Sequence, residues 1–336
     1  MSVRRHLGPI AIIAALLALP AQAQNVDEIG EDLQGREGNP IIVEGEKELE
    51  RKELRDALRD VAMRGRTFSR PLTRFQAPLC LQVSGLGETL GAQVAARIEE
   101  NTRTAGFHVA EPGCEHNALV IIVRRPGQLI ERLREEQPRL FNAGVNRKIK
   151  AAQRRGDVAI GWSLSRIADA RGRPLLQSGT FAGAGITGAE ALSASAGQAV
   201  PTTSSSGVSR FKIPFSLERV LSVLVFDVDR LDGVHLDQIA DFATMRLLAE
   251  PQPTVEFEEE NPADSILNLF DLDPLEAPQE LTAVDRAYLR GLYAMRPNDP
   301  GTRLESFVLA AYEDIRREDC AKGVTVACTD SATPAP

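Results

Sequence analysis

Few residues in this chain are equipped for chemistry. Its 336 residues hold 4 His and 4 Cys. His108, His116 and His235 stand beyond residue 23, and none belongs to an HExxH or an HxH pattern. Zinc hydrolysis on a helix needs two His at i and i+4, with a Glu between them as base. Counting alone argues against that chemistry. His235 precedes a predicted helix and reads as a cap or loop residue; His116, beside Glu115 and Cys114, reads as a loop residue. An exposed His is most simply a titrating surface group. Cys80, Cys114, Cys320 and Cys328 make an even number, which in an oxidising compartment argues for two disulfides. Three pairings are possible. Cys80–Cys114 would tie the start of one predicted strand to the loop before the next, and Cys320–Cys328 would close a short loop in the tail. Those two are expected. A metal reading is weakened because no CxxC is present.

Other reactive patterns fail in the same way. There is no GxSxG elbow, no Walker loop and no dinucleotide fingerprint after a strand. Ser193, Ser195 and Ser204 to Ser206 have no His near them in sequence and read as loop serines. The run Glu256, Glu258, Glu259, Glu260 lacks the spaced Asp/Asn and Gly of a calcium loop and reads as a solvated acidic turn. Asp241 is expected to pair with Arg290 or another surface cation. Asp285 lies three residues after Thr282, which fits a capping box with Asp replacing the usual Glu or Gln. A carboxylate there is favoured by the helix dipole. No metal site and no cofactor is expected.

These side chains must be held by a recognisable series of elements. Lys47 to Arg64 reads as a charged helix with Leu49, Leu54, Leu58 and Val61 on one face. A strand is expected within 78–85, then a helix from Glu88 to Thr104, where Leu90, Val94 and Ile98 recur every four residues. Gly106 is placed to stop it. Ala118 to Val123 is a continuous apolar run and predicts a buried strand. Gly127 to Ala152 reads as helix broken near Pro138, and Val158 to Asp169 as a strand carrying the single Trp, Trp162. Residues 183–210, rich in Gly, Ala, Ser and Thr, read as a mobile loop. Val220 to Val228 predicts a strand and Leu236 to Ala249 a helix; an acidic connection follows at 250–263. Short or full helices are expected at Asp264 to Phe270, Thr282 to Met295 and Gly301 to Arg317. The class is α+β, a mixed sheet packed by helices with a helical C-terminal part.

One stretch of this series resembles the zincin-like (metzincin-type) metallopeptidases. In that family a helix carrying HExxHxxG is followed by a turn and a closing helix reading L-[ST]-x-x-D-x-x-x-L-x-x-L-Y. Leu281, Thr282, Asp285, Leu289, Leu292 and Tyr293 resemble the closing pattern. The upstream strand–helix–strand unit is similar to the start of a zincin-like domain, so the resemblance extends over residues 75–295. It is that of exported bacterial proteins with a degenerate active-site helix. Laying the motif on the chain puts Ala240 and Thr244 at the two His positions, Asp241 at the Glu and Leu247 at the Gly. Neither Ala nor Thr replaces an imidazole ligand. If the overlay holds, Ala240→His with Thr244→His would restore part of a zinc site.

The remaining organisation is set by the ends and by charge. Arg4 and Arg5, the apolar run Ile10 to Leu19 and Ala21-Gln22-Ala23 have the order of a secretory signal peptide cleaved after Ala23. A periplasmic or secreted location follows. The expected units are this signal, a flexible segment at 24–46, the charged helix region at 47–74, the α+β domain at 75–295, and a C-terminal helix with a disulfide-closed tail at 296–336. A formal charge of -8 argues against nucleic acid and anionic lipid as partners, and no second apolar run is long enough to span a membrane. The first reading is a non-catalytic exported protein that binds a partner or ligand in the envelope. The alternatives are a peptidase-like hydrolase with a non-standard site, and an assembly or structural factor docking through its first or last helix.

Overall fold

The apolar run Ala118–Val123 forms a strand near the middle of a five-stranded sheet. In the computed structural model, residues 49–61, 70–173, 213–249 and 265–322 are described. The segments at 1–23, 24–46 and 183–210, the acidic run at 256–260, and Cys328 lie outside them.

Strand β5 (Phe215–Asp227) organises the sheet. Along one edge it pairs antiparallel with β4 (Ala159–Asp169), from Ala159 opposite Phe226 to Asp169 opposite Phe215. Along the other it pairs parallel with β1 (Arg74–Phe75) at Glu218 and Arg219, and with β3 (Ala118–Val123) from Ser222 to Asp227. β2 (Leu81–Ser84) lies parallel beyond β3. The fold is therefore mixed α+β. β5 begins earlier than its apolar run because its two charged residues are satisfied. Glu218 accepts from Arg166 at 2.6 Å, and Arg219 donates to helix carbonyls.

Alternation along the strands gives each face its own core. Leu119, Ile121, Ile160, Trp162, Val223 and Val225 point to one side. There they meet Ile130 of α3 (Pro126–Glu136) and Val145 and Ile149 of α4 (Ala143–Arg155). The break between these helices is a 3-10 turn at Pro138–Leu140, where a proline cannot donate to a continuing helix. The Asn142 side chain caps α4 by accepting from the Val145 N–H at 2.9 Å. Val120, Ile122, Leu224 and Phe226 point to the other side. They face a thicker layer made of α2 (Glu88–Thr104), α5 (Leu236–Leu248), α6 (Ala283–Ala294) and α7 (Leu304–Lys322). α1 (Arg51–Val61) adds Leu54 and Leu58 to the same core.

Seven helices occur among the described residues, and none is long and apolar enough to cross a membrane. The expected helix after Asp264 is only a 3-10 turn, Ile266–Asn268. Cys80 and Cys114 form the expected disulfide, with Cα atoms 6.0 Å apart. Cys320 is also disulfide-bonded.

Candidate functional site

Helix α5 carries the four positions that the motif overlay singles out. It is buried on nearly every side, with only Leu236, Asp237 and Arg246 outside its buried set. Gln238 fixes its start by accepting from the His235 N–H at 3.0 Å, and its Nε2 donates to the carbonyls of Pro274 and Pro278. Arg219 fixes its end by donating to the carbonyls of Leu247 and Ala249. A cation there satisfies free carbonyls and opposes the negative end of the dipole.

Ala240, Asp241, Thr244 and Leu247 each have 0% exposure. The Thr244 hydroxyl donates to the Ala240 carbonyl at 2.8 Å and accepts from Asn101 Nδ2 at 3.2 Å. Asp241 is the centre of a larger network. Its Oδ1 accepts from Arg97 Nε at 2.9 Å and from Asn101 Nδ2 at 2.6 Å. Its Oδ2 accepts from Arg97 Nη2 at 2.8 Å and from the Leu281 N–H at 2.8 Å. One carboxylate thus ties α5 to α2 and to the residue that enters α6. The expected partner, Arg290, is elsewhere: it holds Glu318 of α7 at 2.8 and 3.1 Å. A buried carboxylate needs a close cation from a packed neighbour, and α2 supplies it. In return the Asp241 carboxylate holds the Arg97 guanidinium above its ordinary pKa.

The closing-helix residues are likewise brought together. Leu281 and Leu289 enter the core. Asp285 is fully buried and completes the expected capping box with Thr282. Its Oδ1 accepts from the Ser265 hydroxyl at 2.6 Å, and its Oδ2 from the Ile266 N–H at 2.8 Å and from Thr282. Burial pushes this carboxyl up to about 6 in spite of those donors. Tyr293 stacks on Phe107 with ring centroids 4.4 Å apart, and its hydroxyl donates to the Leu248 carbonyl at 3.1 Å. Burial pushes that hydroxyl up to about 12 against the pull of Arg219 and Arg74. Arg74 on β1 donates to the carbonyls of Leu292 and Met295, so it closes α6 as Arg219 closes α5.

Arg74, Arg97, Asn101, Arg219 and Ser265 are not singled out by the motif patterns. A signal for two of them exists: Arg97 and Asn101 repeat at four-residue spacing beside the stripe of Val94 and Ile98. His108 and His235 are exposed and His116 is half-buried. Among the described residues no three His, Cys, Asp or Glu side chains are grouped to hold a metal ion. A shallow depression beside the Asp241 network is lined by Asn101, Thr104, Ala105, Leu281, Arg286 and Leu289. Comparisons with protein-family models, with curated proteins and with solved structures find no match to this chain.

Proposed function

We propose that this chain is an exported, non-catalytic protein on a zincin-like scaffold, acting by binding in the cell envelope. The observation that carries the non-catalytic half is the complete burial of Ala240, Asp241, Thr244 and Leu247. A general base must reach the proton it removes, directly or through one water. Asp241 has no exposed surface and is occupied by donors from Arg97, Asn101 and Leu281. The closing pattern around Asp285 supports the scaffold half, and the order of the first 23 residues supports export.

The assembly-factor alternative would dock through the first or last helix, and these two helices contact each other. Leu54 and Leu58 of α1 enter the core, and the Leu49 N–H donates to the Tyr312 hydroxyl of α7 at 3.1 Å. Arg55 pairs with Glu305 at 2.8 Å. These two helices partner each other.

Elemental analysis of protein from zinc-replete cells, beside a broad peptide-cleavage screen, tests the reading. The expected result is zinc far below one equivalent and no turnover. Stoichiometric zinc with cleavage, both lost in Asp241→Ala, would overturn it. Pull-down from envelope extract is expected to enrich a component whose mass stays unchanged on incubation.

A further inference from the structure

Charge is segregated in this molecule. From Arg124 to Gly156 the chain has 10 basic and 3 acidic residues, against 29 and 44 in the remainder. That segment is the α3–α4 layer on one face of the sheet. α4 holds five basic residues and no acidic one. Val145, Ile149 and Ala152 are its buried side. Arg147, Lys150 and Arg154 recur at helical spacing and are all exposed. Within this layer, Arg124, Arg134 and Arg155 have acidic partners in Asp229, Glu131 and Asp157. Arg125, Arg132, Arg139, Arg147, Lys150 and Arg154 have none among the described residues. The helix dipole accounts for Arg154 in the last turn, but not for Arg147 or Lys150.

We propose that the α3–α4 face docks on an anionic lipid surface. The partner must be polyanionic and must need no apolar anchor. The large exposed apolar side chains among the described residues are Leu272 and Leu275, both outside this layer, whereas protein interfaces draw their energy from buried aromatic and apolar anchors. Phe141, the aromatic residue of the layer, is buried in the sheet core, so no ring is offered for stacking on bases. Basic side chains near an anionic bilayer act additively through a potential that fades within a Debye length of about 8 Å. A helix layer is itself about 10 Å thick, so described acidic residues of the opposite layer, such as Glu99, Asp285 and Glu313, lie beyond that reach, and the acids of the face itself are Glu131, Glu135 and Glu136. The exclusion of anionic lipid by net charge holds only for evenly spread charge, and this molecule does not spread it. The inference is independent of the non-catalytic reading, since a hydrolase could carry the same face.

Vesicle co-sedimentation of the purified chain from Gln24 to Pro336 tests it, with phosphatidylglycerol-containing vesicles against neutral phosphatidylcholine ones at low and high salt. Binding to the anionic vesicles is expected to exceed binding to the neutral ones and to be lost at high salt. The triple variant Arg147→Gln, Lys150→Gln, Arg154→Gln should weaken anionic binding by about a hundredfold, at roughly fivefold per side chain. The control Arg51→Gln, Arg103→Gln, Arg317→Gln, which removes exposed charges elsewhere, should leave it within about twofold. Equal loss in both triples, no preference for anionic vesicles, or an α4 variant that binds like wild type would overturn the proposal. Binding of duplex DNA or heparin at salt concentrations that release the vesicles would overturn it too, in favour of a soluble polyanion. Circular dichroism melts of both triples separate lost binding from lost fold.

Discussion

At Asp285 burial and hydrogen bonding pull one carboxyl in opposite directions. Donors from Ser265, Ile266 and Thr282 favour its charged form, while complete burial disfavours it and wins, raising the pKa to about 6. The unfolded value is about 3.9. A raised folded pKa means that the native state binds the proton more tightly. The stability this contributes is full below about pH 4 and is lost as pH rises through about 6. Between pH 4 and 7 the wild type should therefore lose about 2 kcal/mol more unfolding free energy than Asp285→Asn. Urea titrations at several pH values read this difference; parallel curves would show that Asp285 carries its ordinary pKa. The capping role of Asp285 is legible from Thr282 three residues earlier. Its reach to Ser265 and Ile266 is not, because those residues lie about 20 positions away and no local pattern encodes the contact.

Among the elements, those governed by local rules match the sequence reading most closely. Helix α2 spans Glu88–Thr104 and strand β3 spans Ala118–Val123, as periodicity and the Gly106 stop imply. The first half of β5 is hidden because Glu218 and Arg219 look like surface residues until Arg166 and the end of α5 are placed against them. The Asp241 network is hidden for the same reason: its cation comes from a helix 140 positions away or more. Contact between α6 and α7 depends on Gly291, where an added Cβ would stand 2.7–2.9 Å from Val308. Gly291→Ala should force these helices apart and cost about 1–3 kcal/mol, read as a lowered melting temperature. An unchanged melt would mean that α7 is loosely docked. The Cys80–Cys114 bond joins residues 34 apart at the start of β2 and the loop before β3. Cys80→Ser with Cys114→Ser should cost roughly 3–4 kcal/mol by freeing the unfolded chain. Denaturant curves of the oxidised wild type and the oxidised double variant check this, because reduction would also break the Cys320 bond, and coincident curves would leave Cys80–Cys114 without a stabilising role.

Across the whole molecule, the two sides of the sheet do different work. One side carries the basic α3–α4 layer, with helices that bury only their apolar stripe. The other buries α5 under α2 and α6 and holds it at both ends, by Gln238 and by Arg219. This arrangement leaves Ala240, Asp241, Thr244 and Leu247 without exposed surface. Restoring imidazoles by Ala240→His with Thr244→His would therefore place two large polar rings in a packed interior. The expected outcome is a loss of stability by several kcal/mol rather than a gain of zinc. On the proposed reading, Asp241 serves the fold and performs no reaction. Urea unfolding of Asp241→Asn against wild type tests it most directly. A loss of about 3 kcal/mol is expected, because Asn keeps one acceptor oxygen but removes the charge facing Arg97 and turns the second oxygen, shared by Arg97 and the Leu281 N–H, into a donor. Unchanged or increased stability, the response of a residue retained for activity at the expense of the fold, would contradict it.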